Sequence, residues 1–269
     1  MSTLHEKLLD TRKEIYERLK KSAIEYNSQM SKDLSAYYEA QEKYAKEDFS
    51  ALSVQDFLNK AKESQLIFLG DFHTFDQSSK NLHRLMKVLI DENKELALGL
   101  EMVSFENQSE VNAFLNKDIT EKEFLESINY KESWRFPWVH YREIFEFAKK
   151  NKVKIYALNS EGSLEERDSK AAKVISKAIT NNQYKNFLVL FGELHIIPDK
   201  LPKKVEHNFK NLGKVIRSLI IHQNLDDIYW RQLEESKDGR IESSIIKINE
   251  NEFSLQNSPP WVKLESFIY

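Results

Sequence analysis

Apolar positions along the chain switch between two periods. From Leu66 to Leu69 four apolar residues run together, and the same happens from Leu96 to Leu98, from Val153 to Leu158 with breaks, and from Phe187 to Phe191. Short unbroken runs of this kind predict strands buried on both faces, as in a parallel sheet. Between them the apolar residues recur every three or four positions. Leu82, Leu85, Met86, Leu89 and Ile90 form one such stripe within 78–93, and 163–180 carries another. Shorter helices are predicted over 53–61, 108–115 and 121–128, the first with Ser53 as its cap. Strand, helix and strand in succession predict parallel pairs joined by right-handed crossovers. Residues 3–48 lack glycine and proline and show helical spacing at Leu8, Ile15, Leu19, Ala23 and Tyr26, then Leu34, Tyr37, Tyr38 and Tyr44. They predict two helices with a break near Ser31. The region after Val215 reads as strands over 215–221, 244–248 and 252–256, the last two as a hairpin. The fold expected is α/β, a mostly parallel central sheet flanked by helices. Residues 1–50 form a helical extension and 51–269 the main domain.

Two of the buried-strand runs end in the same way. Phe68-Leu69-Gly70-Asp71-Phe72-His73 returns as Leu190-Phe191-Gly192-Glu193-Leu194-His195, in a chain with only six glycines and seven histidines. In open α/β sheets ligands sit outside the carboxyl ends of strands. Two such ends lying near each other aim two imidazoles and two carboxylates into one crevice. Leu96 to Met102 is a third apolar run, and it carries the lone carboxylate Glu101.

These phrases resemble the ChaN-like group of the haem-binding-uptake/Tiki superfamily, which also includes the erythromycin esterases. The matching stretches include Phe68-Leu69-Gly70-Asp71-Phe72-His73, Leu100-Glu101-Met102, and Phe136-Pro137-Trp138 with Tyr141. Glu166-Arg167-Asp168, Leu190 to His195, and Ser258-Pro259-Pro260-Trp261-Val262-Lys263 complete the set. The group contains haem binders, metal-dependent proteases and esterase-like enzymes. The resemblance therefore implies a hydrolase-type site acting on an ester or a peptide bond, with Asp71, His73, Glu101, Glu193 and His195 as its chemical groups. His73, Glu101 and His195 are the candidate ligands for a divalent metal, since catalytic zinc sites join three N or O ligands to one open position. Asp71 and Glu193 serve as base or as partners that orient a histidine, or simply cap the following helix. Arg167 is a candidate carboxylate clamp. Asp168, Trp138 and Tyr141 join it as substrate contacts. The aromatic cluster from Trp134 to Tyr141 is either core or a wall for a flat ligand such as haem, with Tyr141, His140 and His222 as candidate axial ligands. A third reading has the N-terminal helices binding a partner.

Composition narrows the classes. The net charge of −3 comes from 40 basic and 43 acidic residues, well mixed, so no basic footprint for nucleic acid is formed. No run approaches the roughly 20 apolar residues that span a bilayer. The opening residues are charged, with no apolar leader, and no cysteine is present for disulfides, thiolate ligands or lipidation. A cytoplasmic protein with a small-molecule or peptide ligand is expected. No Gly-x-Ser-x-Gly elbow supports a serine hydrolase.

Overall fold

The computed structural model describes residues 4–26, 48–92, 95–236 and 244–268, with residues 32, 35, 36, 39, 40, 42 and 241 described singly. The break expected near Ser31 lies outside them. Two compact units form, one from Leu58–Ile220 and one from Met1–Phe57 with Ile221–Tyr269. The chain opens with helix α1 (Leu4–Tyr26), a two-residue strand β1 (Ser50–Ala51) and helix α2 (Val54–Glu63). Ser53 caps α2 as expected, its hydroxyl accepting from the Asp56 amide at 3.1 Å.

The larger unit comes next. β2 (Leu66–Asp71), α3 (Gln77–Glu92) and β3 (Leu96–Ser104) lead to four helices, α4 (Gln108–Asn116), α5 (Glu121–Ser127), α6 (Tyr130–Ser133) and α7 (Val139–Asn151). Then come β4 (Lys154–Asn159), α8 (Leu164–Asn181), β5 (Asn186–Gly192), the single turn α9 (Glu193–Ile196) and α10 (Leu201–Asn211). The strands lie in the order β2-β5-β3-β4 and all pair in parallel. β2 and β3 are therefore parallel but not adjacent, because β5 returns between them. That reversal of direction is a switch point, where a crevice opens at the carboxyl ends. The register sets Asp71 of β2 opposite Gly192 of β5.

Alternation along the strands divides the core. Leu66, Phe68, Phe187, Val189 and Phe191 face Ala171, Ala172 and Ile175 of α8 and Leu201, Val205 and Phe209 of α10. Alanines on α8 let that helix lie close, so the large rings of the strands fill the space. Truncating one of them, Phe187→Ala for instance, would cost about 3–5 kcal/mol. α3 packs over β2, β3 and β5 and against α7. Helices on both faces hold the strand ends still, and that rigidity positions the site.

The second unit joins the start of the chain to its last five elements: β6 (Ser218–Gln223), α11 (Asp226–Glu235), β7 (Ile245–Asn249), β8 (Glu252–Leu255) and α12 (Pro260–Ile268). β7 pairs antiparallel with β1 and with β8, the latter as the expected hairpin. α10, α11 and α12 are helices that the apolar pattern did not disclose. Pro260 opens α12, a position where its missing N–H costs nothing. α1 packs on α12. Tyr16 donates to Asp226, and the fully buried Lys263 ammonium donates to Asp226 Oδ1 at 2.5 Å and to the Asn224 carbonyl at 2.8 Å. Among the described residues no helix is long and apolar enough to cross a membrane.

Candidate functional site

At the carboxyl ends of β2, β3 and β5 a single carboxylate stands between two imidazoles. Glu101, buried on β3, turns Oε2 towards His73 Nε2 and Oε1 towards His195 Nε2, each at 3.7 Å. That separation is short enough for charge to act and too long for a hydrogen bond. Both imidazoles are held from behind. His73 Nδ1 lies 2.9 Å from Asp71 Oδ2, and His195 Nδ1 lies 2.5 Å from Asp168 Oδ1. A carboxylate on Nδ1 accepts the proton there, so each ring presents Nε2 to the crevice.

Glu101 has further partners. Its Oε2 accepts from the Gly192 amide at 2.6 Å, and its Oε1 accepts from Arg167 Nη2. The same guanidinium nitrogen donates to Asn159 Oδ1 at 3.1 Å. A capping box places Arg167 there. Ser163 and Glu166 satisfy each other's backbone N–H groups and fix where α8 begins. Arg167 and Asp168, one turn in, then reach two different partners at the strand ends.

The glycines explain themselves by space. A methyl group at Gly192 would sit 3.2 Å from Glu101 Oε2, 3.3 Å from His73 Nε2 and 3.4 Å from His195 Cδ2. One at Gly70 would fall 1.5 Å from Glu193 Oε2. Neither glycine has the left-handed backbone that a turn would demand. Crowding is the reason for both.

Charge follows from these contacts. Burial alone would push the His73 pKa down, but the neighbouring carboxylates of Asp71 and Glu101 override it and leave it raised above 6.5. Burial alone would push the Glu101 pKa up. His73, His195, Arg167 and the Gly192 N–H outweigh that and leave it below 4.5. Both shifts favour the charged form, the carboxylate of Glu101 and the imidazolium of His73.

Residues 57–167 match the family described as haem-binding uptake, Tiki superfamily, ChaN. This part of the chain is similar to that family. Among solved structures, one of ChaN from Campylobacter jejuni, described for cofacial haem binding, is 16% identical, with 64% of this chain and 86% of that one covered and a TM-score of 0.47. The type III effector HopBA1 is 12% identical over 62% of this chain and 81% of its own, with a TM-score of 0.47. RRSP, a MARTX toxin effector domain from Vibrio vulnificus CMCP6, is 19% identical over 54% and 31%, with a TM-score of 0.41. No curated protein matches the chain.

Within the crevice the structure gathers Asp71, His73, Glu101, Arg167, Asp168 and His195. The other expected residues lie differently. Glu193 turns its buried carboxylate over Gly70, on the far side of β2 from the face that Asp71 uses. Tyr141 and Asp168 do not fit the expected role of substrate contacts. Both are buried, and each hydrogen-bonds a member of the site, Tyr141 to Asp71 at 2.9 Å and Asp168 to His195. Trp138 packs its ring among Phe124, Tyr130 and Phe145, at centroid distances of 5.1 to 5.9 Å, so it belongs to the packing of α5 to α7. Asn159 is the site member that motif reading passes over. Its only signal in the sequence is a polar residue at the carboxyl end of β4. Among the described residues no group of three or more histidine, aspartate or glutamate side chains is arranged to hold an ion.

Proposed function

We propose that the crevice is a metal-free acid–base site of hydrolase type, acting on the carbonyl of an ester or a peptide-like bond. The observation that carries it is the paired geometry, two imidazoles anchored by separate aspartates and turned to opposite oxygens of one buried carboxylate. Arg167 and the Gly192 amide already engage both Glu101 oxygens. A cation introduced between the histidines would meet the guanidinium on the same carboxylate, which disfavours His73, Glu101 and His195 as ligands. In the reaction we infer, water gives its proton to His195 Nε2 as its oxygen attacks the carbonyl carbon. The tetrahedral intermediate collapses as His73 Nε2–H protonates the leaving oxygen or nitrogen. Asp168 and Asp71 steady the two rings, and Glu101 lowers the energy of the imidazolium that each becomes in turn. Arg167 has an Nε–H that is buried without a partner, a donor suited to the carbonyl oxygen.

The test is a panel of chromogenic esters and short peptides, assayed after dialysis against a chelator. Turnover that survives dialysis and disappears in Glu101→Gln supports the reading. Turnover restored only by added zinc or manganese overturns its metal-free form and places an ion on His73, Glu101 and His195.

A second reading, haem binding, rests on the family match over 57–167. The expected axial ligands fit it poorly. Tyr141 is buried and committed to Asp71, and burial together with that carboxylate raises its pKa well above 10. His222 is fully buried against Glu252 at 2.8 Å. His140 is half-buried and is the one of the three with an outward path. The rings from Trp134 to Phe145 pack on one another, so they do not form an open wall. Stoichiometric haem uptake that His140→Ala abolishes, with no turnover of any ester or peptide, would favour this reading over the first.

A further inference from the structure

We propose that Tyr141 is a positioning residue for His73, acting through Asp71 to fix which imidazole nitrogen faces Glu101. This deepens the acid–base reading and rests on it for its consequence in turnover.

Tyr141 stands in the first turn of α7, 70 positions from Asp71 in sequence. Its hydroxyl donates to Asp71 Oδ2 at 2.9 Å, the same oxygen that His73 Nδ1 approaches at 2.9 Å. The tyrosine is 1% exposed, so it touches nothing that enters the crevice. Two donors on one carboxylate oxygen limit how that carboxylate can turn. With Oδ2 fixed, the Nδ1–H bond fixes the ring about its long axis, and Nε2 is left pointing at Glu101. The segment before α7 adds to the grip. The rings of Trp134 and Phe136 lie 4.6 Å and 4.9 Å from the His73 ring, the first edge-on. The aromatic stretch from Trp134 to Tyr141 therefore serves as a holder for the β2 dyad. His195 has no such holder in its own dyad. Its Nδ1 partner Asp168 comes from α8, and its ring packs on Phe191 at 4.7 Å. The two histidines are thus anchored by different elements, so one can be loosened without the other.

That independence supplies the experiment. In protein labelled with 15N-histidine, imidazole N–H protons bonded to carboxylates are read directly by NMR without any substrate. His73→Gln and His195→Gln assign the two signals. In Tyr141→Phe the His73 Nδ1–H signal should shift or broaden into exchange, while the His195 signal stays in place. Turnover should fall about 10–100-fold with KM within about twofold, as for loss of a partner that orients a reacting group. A His73 signal unchanged in Tyr141→Phe overturns the proposal, because the hydroxyl would then be packing only. Loss of both signals together, with a lower melting temperature, also overturns it in favour of general loosening. Should Tyr141→Phe fail to fold, 3,5-difluorotyrosine at position 141 keeps the ring and strengthens the donor. It should move the His73 signal alone and in the opposite direction, and no movement there overturns the proposal as well. Because the signals need no substrate, a failure of the hydrolase reading leaves this result standing, and the converse holds too.

Discussion

Gly192→Ala separates the site from the fold with one methyl group. At Gly192 the backbone has φ −49° and ψ 138°, a region open to alanine, so the substitution brings no backbone strain. Through the unfolded state it would even stabilise by about 0.4–1 kcal/mol. Against that, the new methyl stands 3.2 Å from Glu101 Oε2, 3.3 Å from His73 Nε2 and 3.4 Å from His195 Cδ2. All three must give by a few tenths of an ångström, and Glu101 cannot do so without stretching its 2.6 Å bond from the Gly192 amide. Weakening a bond of that charged kind costs up to about 1.5–3 kcal/mol. The net change in stability should stay within about 2 kcal/mol, which lowers Tm by no more than roughly 8 °C. The three displaced groups are the ones proposed to react. Since a misplacement of about 1 Å can cost roughly 100-fold, a few tenths of that at three groups together should cost about tenfold or more in kcat. Gly70→Ala is the control. Its methyl would fall 1.5 Å from the buried Glu193 carboxylate, an overpacking of about 1–3 kcal/mol, and the three atoms nearest to it all belong to Glu193 and none to Glu101 or a histidine. Thermal melts paired with ester or peptide turnover per folded molecule decide the matter. Gly192→Ala folded and fully active, or Gly70→Ala folded and inactive, would refute the reasoning.

His73→Ala and His195→Ala should each abolish most turnover, and the double variant should lose little more, as groups acting as one unit do. Simple addition of the two losses would separate the histidines into independent environments. Stability should peak in mildly acidic solution. The depressed Glu101 pKa contributes stability above 4.5 that is lost as pH falls through its lower folded value. The raised His73 pKa contributes stability below 6.5 that is lost as pH rises through its higher folded value. Melts from pH 3 to 9 should therefore flatten on the acid side in Glu101→Gln and on the alkaline side in His73→Gln, and unchanged limbs would contradict the charge assignments. Lys263→Met should destabilise by about 3–5 kcal/mol, because Asp226 is left buried without its cation. A loss in chemical denaturation below about 1 kcal/mol would show that Tyr16 alone satisfies that carboxylate.

Local pattern carried part of this structure in the chain itself. The runs Leu66 to Leu69 and Phe187 to Phe191 announced strands because a parallel sheet buried on both faces needs unbroken apolar residues. The glycine, acid and histidine after each could be seen to belong together because the sheet alone could unite them. The apolar stripe over 163–180 announced α8, whose start the Ser163 and Glu166 capping box fixes. The histidines' anchors were harder to see, since each aspartate's role depends on its distant partner. Asp168 binds an imidazole 27 positions away, and nothing beside Asp168 says so. Tyr141 resembled every other aromatic in its cluster until the fold set its hydroxyl on Asp71. Glu193 misled by symmetry. It follows its glycine as Asp71 follows Gly70, but the two motifs are offset by one position in the register, so Asp71 pairs with Gly192 and not with Glu193. α10 and α11 were hidden because lysines and acids dilute their apolar stripes, and tertiary packing supplied what the pattern lacked.

The family match and the chemistry do not share a boundary. The matched stretch ends at Arg167, one residue before Asp168, and His195 lies further on. What it contains is the first dyad, its tyrosine, the central glutamate and the arginine. What it omits is the second dyad. In the reaction proposed above, His195 takes a proton from water and His73 gives one to the leaving group, so an isolated Asp71–His73 pair beside Glu101 would lack the base of that scheme. The second imidazole reaches Glu101 only because β5 inserts between β2 and β3 and because α8, packed on the opposite face from α3, supplies Asp168. On the proposed reading, a chain sharing only residues 57–167 would lack that base, and His195 and Asp168, which lie outside the match, are the residues whose variants would separate binding from turnover.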